Sequence, residues 1–393
     1  MGIRVQANTV RQDTHDMRPR ECVAASSILS LILLVIGLPL ITNAQVDHLV
    51  IGQGGAEGRE ASSDLLGLDD SVAYGSLQPF ELNPQANIAV GSQTDKGQLT
   101  NILGYVWGTS PRGPPASVKD KTSWVYGSRG PTLAIDGDIG QPTHSWIISG
   151  YTFDLGLTFP INRVVFFPPQ SGRVADGPEA GSLFRDLYPR KYVISGSRNP
   201  QEFLFTENKK DFQRVLSSNL SHDEQVADVR FSTQLLRFAR VRFPSPGFIA
   251  EVQFYGEGFL PETRFTSRLF NMGEPVNIGR IFYDFEVFRS PGYGREPVPA
   301  PDAPVQIAVE VRSGRDDSPL IYHITTELGT ETAVEYKQWE RAPSPIGATL
   351  NRGLPGQQGS VQDDLANWSF WSIPHRTSGE DIRAPDGRQF LQV

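Results

Sequence analysis

Polar and apolar positions alternate along much of this chain with a period of two, and few stretches carry a helical stripe. Tyr151-Thr-Phe-Asp-Leu puts Tyr151, Phe153 and Leu155 on one face of an extended segment. Arg163-Val-Val-Phe-Phe is a continuous apolar run, which predicts a strand covered on both sides. Tyr192-Val-Ile-Ser, Phe238-Ala-Arg-Val-Arg-Phe and Ile249-Ala-Glu-Val-Gln-Phe-Tyr-Gly predict three more strands. In the last of these Glu251, Gln253 and Tyr255 share one side, with Val252 and Phe254 on the other. Short strands separated by Gly/Pro turns predict an all-β chain, with a two-sheet sandwich over residues 75–260.

Beyond Pro261 the pattern changes. Ile278 to Phe288 and Val305 to Arg312 predict two further strands, separated by SPGYGREPVPAPDAP, a proline-rich excursion too long for a hairpin turn. These belong to a second β-rich domain over 261–393. The chain stops at Phe390-Leu-Gln-Val393 inside a strand pattern, so this domain is expected to be truncated at its C-terminus, an incomplete sandwich lacking at least one closing strand. Residues 45–74 read as an N-terminal strand and linker.

Composition narrows the class. The 393 residues are 38% hydrophobic, enough for two cores, and 30 Pro with 38 Gly favour turns over long helices. The net charge is -8 and no basic stripe forms, so no nucleic acid is expected as a partner. Residues 1–44 read as a signal peptide. Arg18 and Arg20 precede the apolar run VAASSILSLILLVIGLPLI, and Thr42-Asn43-Ala44 follows as a small-residue cleavage site. The alternative is an uncleaved anchor over Val23 to Ile41, the one way this chain would meet a membrane. The single cysteine, Cys22, precedes the apolar run, so the exported chain carries no disulfide. The expected location is secreted or cell-surface.

Candidate chemistry is sparse. There is no HExxH, no GxSxG elbow and no phosphate loop, which argues against an enzyme. Asp136-Gly137-Asp138 is a turn signature, since Asp caps its own backbone and Gly takes positive φ. The same two carboxylates, with Thr143 nearby, make an oxygen-rich nest that suits Ca²⁺. A catalytic acid pair is the third reading, without a second carboxylate pair or activated His to support it. Trp107, Trp124 and Tyr126 lie in turn-rich segments, where flat rings hold sugars by CH–π contact or close over one end of a sandwich. With His144 they form the candidate ligand-binding set, while Trp146 reads as core.

Taken in order, Ala134-Ile-Asp-Gly-Asp, Thr143, Trp146, Phe153–Gly156 (FDLG), Ile161–Pro168 (INRVVFFP), Tyr192–Ser197 (YVISGS), Ala239–Phe243 (ARVRF) and Ile249–Phe259 (IAEVQFYGEGF) form a recognisable set. It resembles the discoidin, or coagulation factor V/VIII type C, domain among the galactose-binding-like jelly rolls. The resemblance implies an eight-stranded β-sandwich binding glycans, and sometimes lipid head groups or proteins, through loops at one end. It also implies a structural Ca²⁺ held by Asp136, Asp138 or its carbonyl, Thr143 and Glu251. The expected function is therefore non-catalytic capture of a glycan or other cell-surface component. Two alternatives stand beside it: a targeting module of a larger secreted hydrolase, and a structural spacer in a surface assembly.

Overall fold

The computed structural model describes residues 62–69, 77–95, 97–110, 121–127, 130–143, 150–205, 210–343 and 354–393, and the backbone of 2–11 and 45–51. The expected signal peptide is thus described only in its first strand, and the Val23–Ile41 run lies outside the described residues. No described helix is long and apolar enough to cross a membrane.

The chain is all-β. The α-helices among the described residues are two six-residue turns, Pro200–Phe205 and Tyr336–Arg341. The centre of the first sandwich is a pair of long antiparallel strands, Gly150–Phe167 and Ala227–Arg242. Their register shifts twice, between Arg230 and Gln234 and between Leu236 and Phe238, so each strand contributes its two halves to different layers. The first half of Gly150–Phe167 pairs with Thr122–Gly127, and its second half pairs with Glu251–Gly256. Tyr192–Ser197 lies against the far half of Ala227–Arg242, with Arg214–Asn219 outside it. Val106–Ser110 adds a parallel edge beyond Thr122–Gly127.

Between the layers lies the main core. Phe153 from one layer meets Phe254 from the other edge-on, ring centroids 4.8 Å apart, and Phe166 meets Phe243 at 5.2 Å. Burying aromatic rings of this size contributes about 2–3 kcal/mol each. The period-two pattern placed Tyr151, Phe153 and Leu155 inward, and all three are buried. Thr152 and Asp154, on the opposite face, are buried too. They tolerate this because Arg240 donates to Thr152 Oγ1 at 2.8 Å and Arg237 pairs with Asp154 at 2.8 Å. A second aromatic cluster of Trp124, Tyr126, Phe203, Phe212 and Phe238 covers that outer face, with Pro200–Phe205 supplying Phe203.

The second β-rich region has its own cluster, formed by Phe270, Ile281, Tyr283, Val309, Val311, Ile382, Leu391 and Val393. Phe270–Glu286 is its long strand; it takes in most of the predicted Ile278 to Phe288 run and begins eight residues earlier. Arg388–Gln392 runs between it and Arg312–Gly314, paired on both edges. The run from Val305 to Arg312 differs from expectation. Only a bridge at Val309 and the strand Arg312–Gly314 form there, because its partner is an irregular segment that meets it through isolated bridges at His375 and Trp368. Ser62–Leu66, in the stretch read as a linker, pairs with Arg264–Ser267, and Gly2–Arg11 pairs with Phe270–Glu286. Strands from both sides of the first sandwich therefore meet in this region.

Candidate functional site

The acidic turn sits where the 3₁₀ turn Pro131–Ala134 delivers the chain to the edge of the sandwich. Gly130 before it has φ 53°, and a Cβ there would lie 2.0 Å from the Thr143 carbonyl oxygen, so no other residue fits. Asp136 Oδ1 accepts from the Asp138 N–H at 2.9 Å, and Asp138 Oδ1 accepts from the Gly140 N–H at 2.7 Å. Both aspartates thus cap their own backbone, as the turn reading predicts. Gly137 between them has φ 79°.

Glu251 joins this turn from 114 residues away. Its Oε2 accepts from the Gly137 N–H at 3.2 Å, and its Oε1 faces Asn87 Nδ2 at 3.5 Å. The side chain is fully buried, at 0% exposure. Burial first, then the charges of Asp136 and Asp138, push the Glu251 carboxyl up to about 8. Burial likewise raises Asp136, and Asp138 adds to the rise. Thr143 is fixed by its N–H, which donates to the Ile249 carbonyl at 2.7 Å, two residues before Glu251. Its buried Oγ1 makes no well-aligned hydrogen bond, and the Tyr151 hydroxyl is the polar group beside it.

The buried Glu251 carboxyl, the two aspartates whose charges act on it and the Thr143 hydroxyl are hard oxygens, the kind Ca²⁺ takes. Among the described residues no group of three His, Cys, Asp or Glu side chains converges at metal-binding spacing. A cation here would need backbone carbonyls and water to complete its shell, which Ca²⁺ accepts more readily than a transition metal.

The aromatic candidates are placed differently from expectation. Trp107 is buried, its Nε1–H donating to the Ala89 carbonyl at 2.8 Å and its ring edge-on to Phe153 at 6.5 Å. Trp124 is 5% exposed, and Tyr126 is buried edge-on against Phe203 at 5.7 Å. All three lie in strands, not loops, and rings packed inside a protein present no face to a sugar. The turn-rich flanks of these segments concealed their strand character. His144 and Trp146 lie outside the described residues.

Asn87 is a site residue that sequence reasoning missed. Its Oδ1 accepts from the Ala89 N–H at 3.0 Å and the Phe254 N–H at 3.1 Å, which aims its amide at Glu251. A lone Asn in a Pro/Ala/Gly-rich stretch gives no signal of such a role. Four hydrogen bonds draw four loops to this end of the sandwich. Gln170 N–H donates to the Ile139 carbonyl, Thr143 N–H to Ile249, Phe248 N–H to Leu187, and His222 N–H to Arg190. Among the described residues one exposed ring, Tyr336, lies on its short helix in the second β-rich region, where it touches Tyr322 at 5.0 Å and Trp339 beyond.

No family model matches the chain, and no curated protein does. Several solved structures are similar to part of it. Chitosan-binding module 2, in complex with chitotriose and derived from a chitosanase/glucanase of Paenibacillus sp. IK-5, is 18% identical with a TM-score of 0.24, covering 37% of this chain and 92% of its own. A module from Clostridium perfringens named CpGH89CBM32-5, in complex with GalNAc-β-1,3-galactose, is 14% identical with a TM-score of 0.23, covering 32% and 83%. The lectin domain of lectinolysin complexed with Lewis B antigen is 20% identical with a TM-score of 0.22, covering 32% and 84%. At these scores the all-β class rests on this chain's own strand pairing.

Proposed function

We propose that this chain is an exported, non-catalytic glycan-binding protein, with the ligand held by the gathered loops at the acidic-turn end of the first sandwich. The observation that carries the reading is the Gly137 N–H to Glu251 hydrogen bond. It joins the two motifs that the discoidin resemblance requires to meet, across a buried junction. Asp136, Glu251 and Thr143 would hold a Ca²⁺ there, with Asp138 contributing charge or its carbonyl. When bound, the ion offsets the repulsion among the carboxylates and stiffens the turn. The residues of this corner do the rest. The two Asx caps fix the turn, Asn87 orients Glu251, and the Thr143–Ile249 bond ties the turn to the last strand of the core.

With the predicted rings buried in the core, the loop surface would hold a sugar through hydrogen bonds and shallow contact. Each site would be weak, and useful avidity would come from several copies on a cell surface. The test is a glycan array probed with the full chain in calcium-containing buffer. At least one sugar class is expected to bind, with the signal falling on chelation. An empty array from a folded protein rejects the reading.

A further inference from the structure

His222 lies in the 220–226 loop beside the acidic-turn end of the sandwich, yet it is 6% exposed. Its ring sits in a box of three aromatic rings: Tyr192 at 5.3 Å, Tyr188 at 5.8 Å and Phe166 at 6.3 Å between centroids. Tyr192 and Tyr188 meet it at 79°, an edge-to-face arrangement. The Nε2 atom is buried and has no hydrogen-bond partner among the described residues. A neutral histidine tolerates this. An imidazolium would carry a second N–H and a full charge into a buried place where that nitrogen has no acceptor among the described residues.

The same residue ties several elements together. Its N–H donates to the Arg190 carbonyl at 2.9 Å, and the Tyr188 hydroxyl donates to the neighbouring Asp223 carbonyl at 2.5 Å. Arg190 lies over the Tyr188 ring at 3.9 Å and donates to its hydroxyl. The Leu187 carbonyl accepts from the Phe248 N–H, and Phe166 backs the box from the core while meeting Phe243 edge-on. The stretch 183–191 is thus fastened in part through the surroundings of His222, beside the Phe184–Phe248 ring contact at 4.9 Å and the Gln225 to Asp186 hydrogen bond at 3.1 Å.

We propose that His222 is an acid-sensitive latch, holding the 183–191 stretch and the 220–226 loop closed over this end of the sandwich while neutral and releasing them when protonated. The charged and titratable groups facing it are Asp223 and Glu224 on its own loop, Arg190 and Tyr188 on the fastened stretch, and Tyr192 on the core strand. The 243–248 turn, FPSPGF, brings no charge. Burial is the largest influence and holds His222 below the ordinary histidine value of 6.5, Arg190 acts the same way, and the two carboxylates oppose them. A depressed value gives stability that is present above about pH 6.5 and lost as pH falls through and below it. The latch stands whether or not the loops bind a glycan, since it rests only on the box.

Hydrogen exchange of the full chain, read in peptides covering 183–191 and 220–226 and corrected for intrinsic rates, tests it at about pH 7.5 and about pH 5. A local readout is needed because Glu251 contributes an opposite slope to whole-chain melting. Protection in both peptides is expected to drop severalfold at the acid pH. His222→Phe fills the box without titrating, and its protection should be indifferent to pH. His222→Gln serves as a second non-titrating variant should the first fail to fold. Equal protection of the native chain at both pH values overturns the latch, as does an acid-induced loss that persists in whichever variant folds.

Discussion

Trp124→Ala lowers the stability of the folded chain by about 3–5 kcal/mol, the usual cost of emptying a large aromatic site in a core. The ring is buried among Tyr126, Phe203, Phe212 and Phe238, on the outer face of the sheet. Its neighbour strand is shaped around it: a Cβ at Gly108 would lie 2.0 Å from Trp124 Cε3, so Gly108 is the space into which the indole fits. The loss is expected to fall on the whole first sandwich, because the same cluster anchors Pro200–Phe205 through Phe203, which stacks on Phe238 at 4.7 Å. Chemical denaturation checks it. A sugar platform would behave in the opposite way, with binding lost and the denaturation midpoint unchanged.

Glu251→Gln is expected to make the calcium-free protein more stable than the native chain at about pH 8 and no more stable at about pH 4.5. The sign follows from the raised carboxyl. In the native fold Glu251 titrates near 8, whereas an ordinary glutamate titrates at 4.5, so the folded state binds more protons than the unfolded chain between the two values. Stability is therefore fully present below pH 4.5 and lost as pH rises through 8. The shift corresponds to at most about 5 kcal/mol. Gln keeps an oxygen for the Gly137 N–H and removes the charge. His222 contributes a slope of the other sign, but it is present in both proteins and cancels in their difference. Calorimetric melting across this range in chelator checks the prediction; native and variant curves moving in parallel would contradict it.

Much of the fold was legible in the chain because strands with a period-two pattern were bounded by unambiguous turn residues. Tyr151–Leu155, Tyr192–Ser195 and Ile249–Gly256 read directly, and the second faces of Gly150–Phe167 did not. Burial of Thr152 and Asp154 depends on Arg240 and Arg237, which lie more than 80 residues further along the chain. Local pattern cannot show that a polar face will be roofed by distant guanidinium groups. The same limit hid Trp107, Trp124 and Tyr126. Surrounding Gly, Pro and Ser made their segments resemble loops; the pairing of Val106–Ser110 with Thr122–Gly127 makes them strands, with Trp107 in the main core and Trp124 and Tyr126 in the cluster on the outer face. The site was half legible. The Asp-Gly-Asp turn announced its own geometry, and the family resemblance brought Glu251 to it, while Asn87 and the His222 box arise from tertiary contacts alone.

On the proposed reading the acidic turn and Glu251 form one corner that takes a cation. Calorimetric titration of Ca²⁺ into the intact chain at about neutral pH tests this most directly. A saturable event in the native protein, lost in Glu251→Gln and in Asp136→Asn while both variants keep the native circular dichroism, is the predicted result. A native chain that takes up no Ca²⁺, or variants that bind it as the native chain does, would contradict the account.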